Sequence, residues 1–126
     1  MHELSVCQGL LEQVAGIASR HGARRATRIT VRIGPLSGVV PELLEQAFPI
    51  ARAGTFAAQA ELVVETLPVR VRCRICGAET DAEPNRLLCG ACGDHRTELI
   101  SGDELILAQV ELERPDAGAE DRRADG

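Results

Sequence analysis

Between residues 4 and 20 the apolar side chains recur with a helical rhythm. Leu4, Cys7, Leu11, Val14 and Ala18 share one stripe, and Leu10 and Ile17 widen it. Ser5 and Gln8 stand at capping-box spacing, so the helix is predicted to open at Ser5 and to leave residues 1–4 as a short free arm. Gly22 supplies a stop. Over residues 26–33 the period changes to two: Ile29, Val31 and Ile33 alternate with Arg28, Thr30 and Arg32, which predicts a half-buried strand ended by Gly34 and Pro35. Pro41 suits a first helical position, and residues 42–53 read as a second helix with Leu43, Leu44, Ala47 and Phe48 inward. Pro49 conflicts with that helix, because it lacks a backbone donor and should kink or divide it. Residues 60–67 and 104–112 read as strands. In the last, Leu105 and Leu107 lie on one face and Ile106, Ala108, Val110 and Leu112 on the other, a pattern that predicts cover on both sides.

A cysteine segment interrupts this pattern. Cys73-Arg-Ile-Cys76 is followed by twelve residues and then Cys89-Gly-Ala-Cys92. Each C-x-x-C sets two thiolates on one tight turn, and Gly77, Gly90 and Gly93 beside them allow backbone turns that other residues resist. Two such turns meeting at one cation give tetrahedral sulfur coordination, which suits Zn2+. Four sulfurs complete the shell, so the expected site is closed and structural, not catalytic. His95 follows three residues after Cys92 and is expected in solvent near the site; Cys7 is expected in core packing. The fold class is therefore α/β (α+β): a small mixed three-stranded sheet packed by two helices, with an inserted zinc-ribbon-like module. Residues 1–68 and 99–114 form the main domain, residues 69–98 the four-cysteine zinc insert, and residues 115–126, polar and without apolar period, a disordered tail.

Composition narrows the function. There is no Trp or Tyr and only two Phe, so Leu, Val, Ile and Ala must fill the core. The net charge of -5 argues against a general nucleic-acid binder. No secretory signal and no apolar run of bilayer length are visible, which places the protein in the cytoplasm with reduced cysteines and favours metal over disulfides. No Ser-His-Asp set, phosphate loop or paired acids at a recognisable spacing occurs, so a binding protein is expected and not an enzyme.

The N-terminus adds a second metal chemistry. The Met1 amine, the His2 imidazole and the amide between them can chelate one small cation, and nickel favours such nitrogen ligands. Glu3 adds a carboxylate or its own amide. Met-His-Glu-Leu-Ser-Val at the start, the helix after it, the four cysteines and Ser101-Gly102-Asp103-Glu104-Leu105 together resemble the HypA/HybF hydrogenase-maturation proteins over residues 1–113. The resemblance implies a nickel metallochaperone with His2 as principal nickel ligand, Met1 and Glu3 beside it, and zinc on Cys73, Cys76, Cys89 and Cys92. It implies delivery to the [NiFe]-hydrogenase large subunit precursor with a partner nickel-insertion GTPase, no nucleic acid, no membrane, and a monomer or homodimer. Some relatives carry a His beside each knuckle; here only His95 is near, and Glu79 stands after the first, which weakens a pH-sensing role. The docking surface is expected on the polar face of the first helix, with Glu12 and Gln13. The rival readings are a zinc-ribbon module that binds nucleic acid or protein, supported by Arg70, Arg72, Arg74, Arg86 and Arg96 near the knuckles, and a thiol oxidoreductase.

Overall fold

The computed structural model describes residues 2–114, so Met1 and the tail from 115 lie outside the described residues. Two helices and six strands follow one another as α1 (Glu3–Arg20), β1 (Arg25–Ile33), α2 (Pro41–Arg52), β2 (Glu61–Thr66), β3 (Arg70–Cys73), β4 (Glu79–Asp81), β5 (Thr97–Ser101) and β6 (Leu105–Glu113). They form two three-stranded sheets, ordered β2-β1-β6 and β4-β3-β5. The first is mixed, as the sequence predicts: β1 pairs in parallel with β2 across the α2 crossover and antiparallel with β6. In the second, β3 pairs antiparallel with both neighbours, and β5 extends to Ser101.

The core lies between the first sheet and the helices. Val14 from α1, Ile29, Val31 and Ile33 from β1, and Leu44 from α2 are sealed from solvent, with Phe48 beside them. The inward stripe of α1 is the one its periodicity sets out. Its end is a Schellman turn, in which the amides of Ala23 and Gly22 donate to the carbonyls of Ala18 and Ser19.

Four local expectations need correction. The helix α1 opens at Glu3 with His2 as its N-cap, not at Ser5, so no four-residue arm exists. The Glu3 carboxylate accepts a hydrogen bond from the Val40 amide at 3.1 Å, and its negative charge suits the positive end of the helix. Pro49 does not divide α2, which runs unbroken to Arg52. Both Pro49 and Glu45, whose carbonyl loses its helical partner, are exposed, so that carbonyl is not left unpaired in the core. Leu43 is exposed, not inward. Strand β6 is covered on one side only. A register shift beside Leu107 moves the inward parity from Leu105 and Leu107 to Val110 and Leu112, and Ile106 faces out.

The open face of the first sheet is charged. Arg28 bridges Glu61 and Glu111, and Arg32 pairs with Glu65. At the end of β6 Glu113 receives both Arg24 and Arg25. Their hydrogen bonds, Arg25 first, hold the Glu113 carboxyl below the usual carboxylate range. A lowered folded pKa means that the stabilisation is complete above the ordinary carboxylate range and is lost as pH falls through the lowered value. Glu113→Gln is expected to flatten that part of the acid dependence of the urea midpoint and to leave the neutral-pH fold intact.

The segment from Ser101 to Leu105 is the seam between the two sheets. The Gly34 amide donates to the Glu104 carbonyl at 2.8 Å and the Leu36 amide to the Gly102 carbonyl at 2.7 Å. The Glu104 carboxylate turns back to accept the Gly102 amide, and the Ser101 hydroxyl donates to the Pro68 carbonyl.

Candidate metal centres

Both C-x-x-C segments fold into the same turn. In the first, the amides of Ile75 and Cys76 point at the Cys73 sulfur, each at 3.3 Å. In the second, the amides of Ala91 and Cys92 point at the Cys89 sulfur at 3.3 and 3.4 Å. Each turn closes through a glycine at positive φ, Gly77 at 78° and Gly93 at 80°, whose amide returns to the carbonyl of the first cysteine. Gly90 serves differently. It packs against Thr80, whose hydroxyl oxygen accepts the Gly90 amide at 2.8 Å, and this contact fastens the second turn to β4. Thr97 fastens the other side by donating to the Leu87 carbonyl at 2.7 Å. Neither threonine carries a spacing signal in the sequence, because both contacts cross between segments.

The folded module brings the four sulfurs together, all within 4.8 Å of one another. Cys73 and Cys92 are 3.6 Å apart, and Cys76 and Cys89 are 3.5 Å apart. A tetrahedral ion with metal–sulfur bonds of about 2.3 Å requires sulfurs about 3.8 Å apart. The spacing therefore fits such an ion. The electrostatics agree. The Cys92 amide, with that of Ala91, lowers the Cys89 thiol to about 6. Cys73 is lowered similarly, first by the Cys76 amide. At Cys92 the Asp94 amide favours the thiolate, but Cys73 and the other sulfurs outweigh it and push the thiol up to about 12. Cys76 is also raised: Cys89 and burial outweigh the Ala78 amide. Four thiolates this close repel one another, and a divalent cation among them removes that penalty.

Among the described residues this is the one group of three or more His, Cys, Asp or Glu side chains close enough to hold a metal together. His95 is not in it. Its ring is largely exposed and lies 3.9 Å from Asp94, which Arg96 holds ionised well below the usual carboxylate range, by a side-chain bond first and an amide bond second. Three of the five arginines around the module are drawn into ion pairs. Arg70 pairs with Asp81, Arg72 with Glu79 and Glu98, and Arg96 with Asp94. Cys7 is buried, and its thiol donates to the Leu44 carbonyl at 3.6 Å.

Neither His2 nor Glu3 belongs to this group of sulfurs. Met1 is outside the described residues. His2 is exposed, and its carbonyl accepts the Val6 amide as the first bond of α1. Glu3 is tied to Val40, and that bond, first among its causes, lowers the Glu3 carboxyl. The sequence offers no hint of Val40, which lies 37 positions away.

Residues 1–112 match the family described as hydrogenase/urease nickel incorporation, metallochaperone, hypA. The chain belongs to the HypA family. Relatives called hydrogenase maturation factor HypA include that of Nitrosospira multiformis, 46% identical over 112 residues that cover 89% of this chain and 97% of that protein. The protein of the same name from Aquifex aeolicus is 42% identical, with 90% of this chain and 98% of the relative covered. The solution structure of the Ni metallochaperone HypA from Helicobacter pylori superposes with a TM-score of 0.68 over 90% of this chain and 99% of that one, at 24% identity. That likeness shows the HypA fold. No helix among the described residues is long and apolar enough to cross a membrane.

Proposed function

We propose that this chain binds Ni2+ at Met1, His2 and Glu3 and delivers it to the [NiFe]-hydrogenase large subunit precursor, working with a nickel-insertion GTPase. Cys73, Cys76, Cys89 and Cys92 hold a structural Zn2+. The protein acts in the cytoplasm as a carrier, not an enzyme. Membership of the HypA family carries the reading, and the hydrogenase maturation named in its relatives supplies the acceptor. The local geometry supports it. His2 stands exposed at the very start of a helix, where the first amides have no helical acceptor. The Glu3 amide is one of these, so it can serve a metal without breaking a helical bond. One oxygen of the Glu3 carboxylate accepts the Val40 amide, and Glu3 can serve through its own amide without disturbing that bond. A site with few protein ligands on an exposed terminus leaves coordination positions open, and an acceptor can take the ion by ligand exchange. A closed tetrathiolate exchanges poorly, so zinc stays while nickel moves.

The expected result is one nickel per untagged chain, bound more tightly as pH rises, since both the amine and the imidazole must lose protons to bind. His2→Ala is expected to lose the nickel and keep the zinc. The chain has no Lys, so an amine-acylating reagent can label only the terminal amine, and nickel should protect it. Equal labelling with and without saturating nickel would exclude the amine as a ligand. In a deletion strain the large subunit should remain unprocessed at limiting nickel and recover in part with excess nickel.

A further inference from the structure

The four cysteines of the cluster are not equivalent. Cys76 and Cys92 are exposed, whereas Cys73 and Cys89 are buried. Each exposed cysteine has a buried one beside it on the opposite turn. The Cys76 sulfur lies 3.5 Å from that of Cys89, and the Cys92 sulfur 3.6 Å from that of Cys73. A disulfide needs its sulfurs about 2.05 Å apart, so each pair has about 1.5 Å to close, which side-chain rotation can supply. The turns are also tied together by bonds that do not pass through the sulfurs. The Arg74 amide donates to the Arg96 carbonyl at 2.8 Å, the Gly90 amide to the Thr80 hydroxyl, and the Thr97 hydroxyl to the Leu87 carbonyl.

We propose that the cluster is a redox switch. A hydroperoxide converts its four thiolates into two disulfides across the turns, Cys76 to Cys89 and Cys73 to Cys92, and frees the zinc while the module stays closed. The switch presupposes the zinc proposed above. In each pair the exposed thiolate attacks the peroxide: a sulfur–oxygen bond forms, the oxygen–oxygen bond breaks, and hydroxide leaves. The buried partner then attacks the sulfenic sulfur. The sulfur–sulfur bond forms, and the oxygen leaves that sulfur as a second hydroxide. Over both pairs, two peroxides take four electrons from four thiolates, four protons turn the hydroxides into water, and Zn2+ departs without its ligands. The connectivity decides what remains. A bond inside one turn spans three positions and does not hold the turns to each other. Bonds across them span 13 and 19 positions, and longer closed loops restrict the unfolded chain more. The crosswise disulfides therefore replace the ion as the staple of the module, and thiol reduction returns a site ready to bind zinc. Cys7 is sealed in the main core and takes no part.

The test uses full-length, reduced, zinc-loaded protein and hydrogen peroxide, with a zinc-responsive dye and peptide mapping under non-reducing conditions. The expected result is one zinc released per chain as two peroxides are consumed, with Cys7 left as the one free thiol of five. Trypsin cuts after Arg72, Arg74, Arg86 and Arg96, so Cys73 and Cys76 fall on separate peptides and Cys89 and Cys92 on a third. Disulfides across the turns join all three into one species, and its fragmentation should place Cys89 with Cys76 and Cys92 with Cys73. Residues 70–101 should keep their amide protection after oxidation and lose it when a chelator strips zinc from reduced protein. A dithiol with added zinc should return the starting state. Disulfides within a turn, the opposite crossing, disulfides between chains, or zinc retained beside sulfenic or sulfinic acids each overturn the proposal. So does a module that loses its protection on oxidation. Failure of the zinc reading is separate: it shows as reduced protein that carries no zinc before any peroxide is added.

Discussion

Serine in place of Cys89 is expected to abolish the proposed zinc binding and to leave residues 70–101 without amide protection. The Cys89 thiol is drawn down to about 6, chiefly by the Cys92 amide, and its sulfur collects the Ala91 and Cys92 amides. A serine hydroxyl is a poorer metal ligand and does not ionise at neutral pH, so the tetrahedral set is broken. The module has little else to hold it. Val71, Cys73 and Cys89 are its main buried side chains, β4 is three residues long, and its ion pairs are exposed and worth little each. Structural zinc sites of this kind contribute on the order of 10 kcal/mol to their own folding, far more than so small a core can replace. The first sheet has its own core and should retain its protected amides. Metal analysis together with hydrogen exchange reads both halves of the result. Cobalt in the intact site should show thiolate charge-transfer bands, and a serine variant that kept one zinc per chain would remove Cys89 from the ligand set.

Alanine at position 34 is expected to destabilise the chain by about 3 kcal/mol or more, although it adds a single methyl group. A Cβ on Gly34 would stand 2.1 Å from the Gly102 carbonyl oxygen and 2.2 Å from its carbon. Both are backbone atoms, so no side chain can rotate away. Retreat of the loop is blocked by the bonds from Gly34 to Glu104 and from Leu36 to Gly102. The Gly102 bend has little room behind it, because Val69 packs so close that a Cβ at Gly102 would stand 2.9 Å from it. Urea unfolding followed by circular dichroism measures the loss. Ala at Gly9, which has open space around it, should be neutral or slightly stabilising, because glycine in a helix interior is about 1 kcal/mol worse than alanine. If Gly34→Ala were no worse than Gly9→Ala, the crossing at Gly102 would be looser than its geometry indicates.

Much of this protein is written in local pattern. The period-3.6 stripe through Cys7, Leu11, Val14 and Ala18 and the period-2 alternation through Ile29, Val31 and Ile33 are direct consequences of burying one face of a helix or a strand, and the chain buries those faces. The paired C-x-x-C segments specify the four-sulfur cluster because each turn is made within five residues, glycine included. Met1 and His2 are adjacent, so their joint chemistry needs no fold at all.

What local pattern could not settle depended on distant partners. The helix starts at Glu3, not Ser5, and there a carboxylate meets an amide 37 residues away, a contact that no local pattern announces. Leu43 and Leu44 are alike as sequence, and only the direction in which α2 lies on the sheet buries one and exposes the other. Strand β6 is apolar on alternating sides, yet a register shift and an uncovered face, not propensity, determine which residues are inside. Gly34 reads as the end of a strand, and Ser101-Gly102-Asp103-Glu104-Leu105 as a signature without a mechanism. Their meaning is a crossing of two backbones too close for any Cβ, and closeness between segments 68 positions apart is a property that only the folded chain possesses.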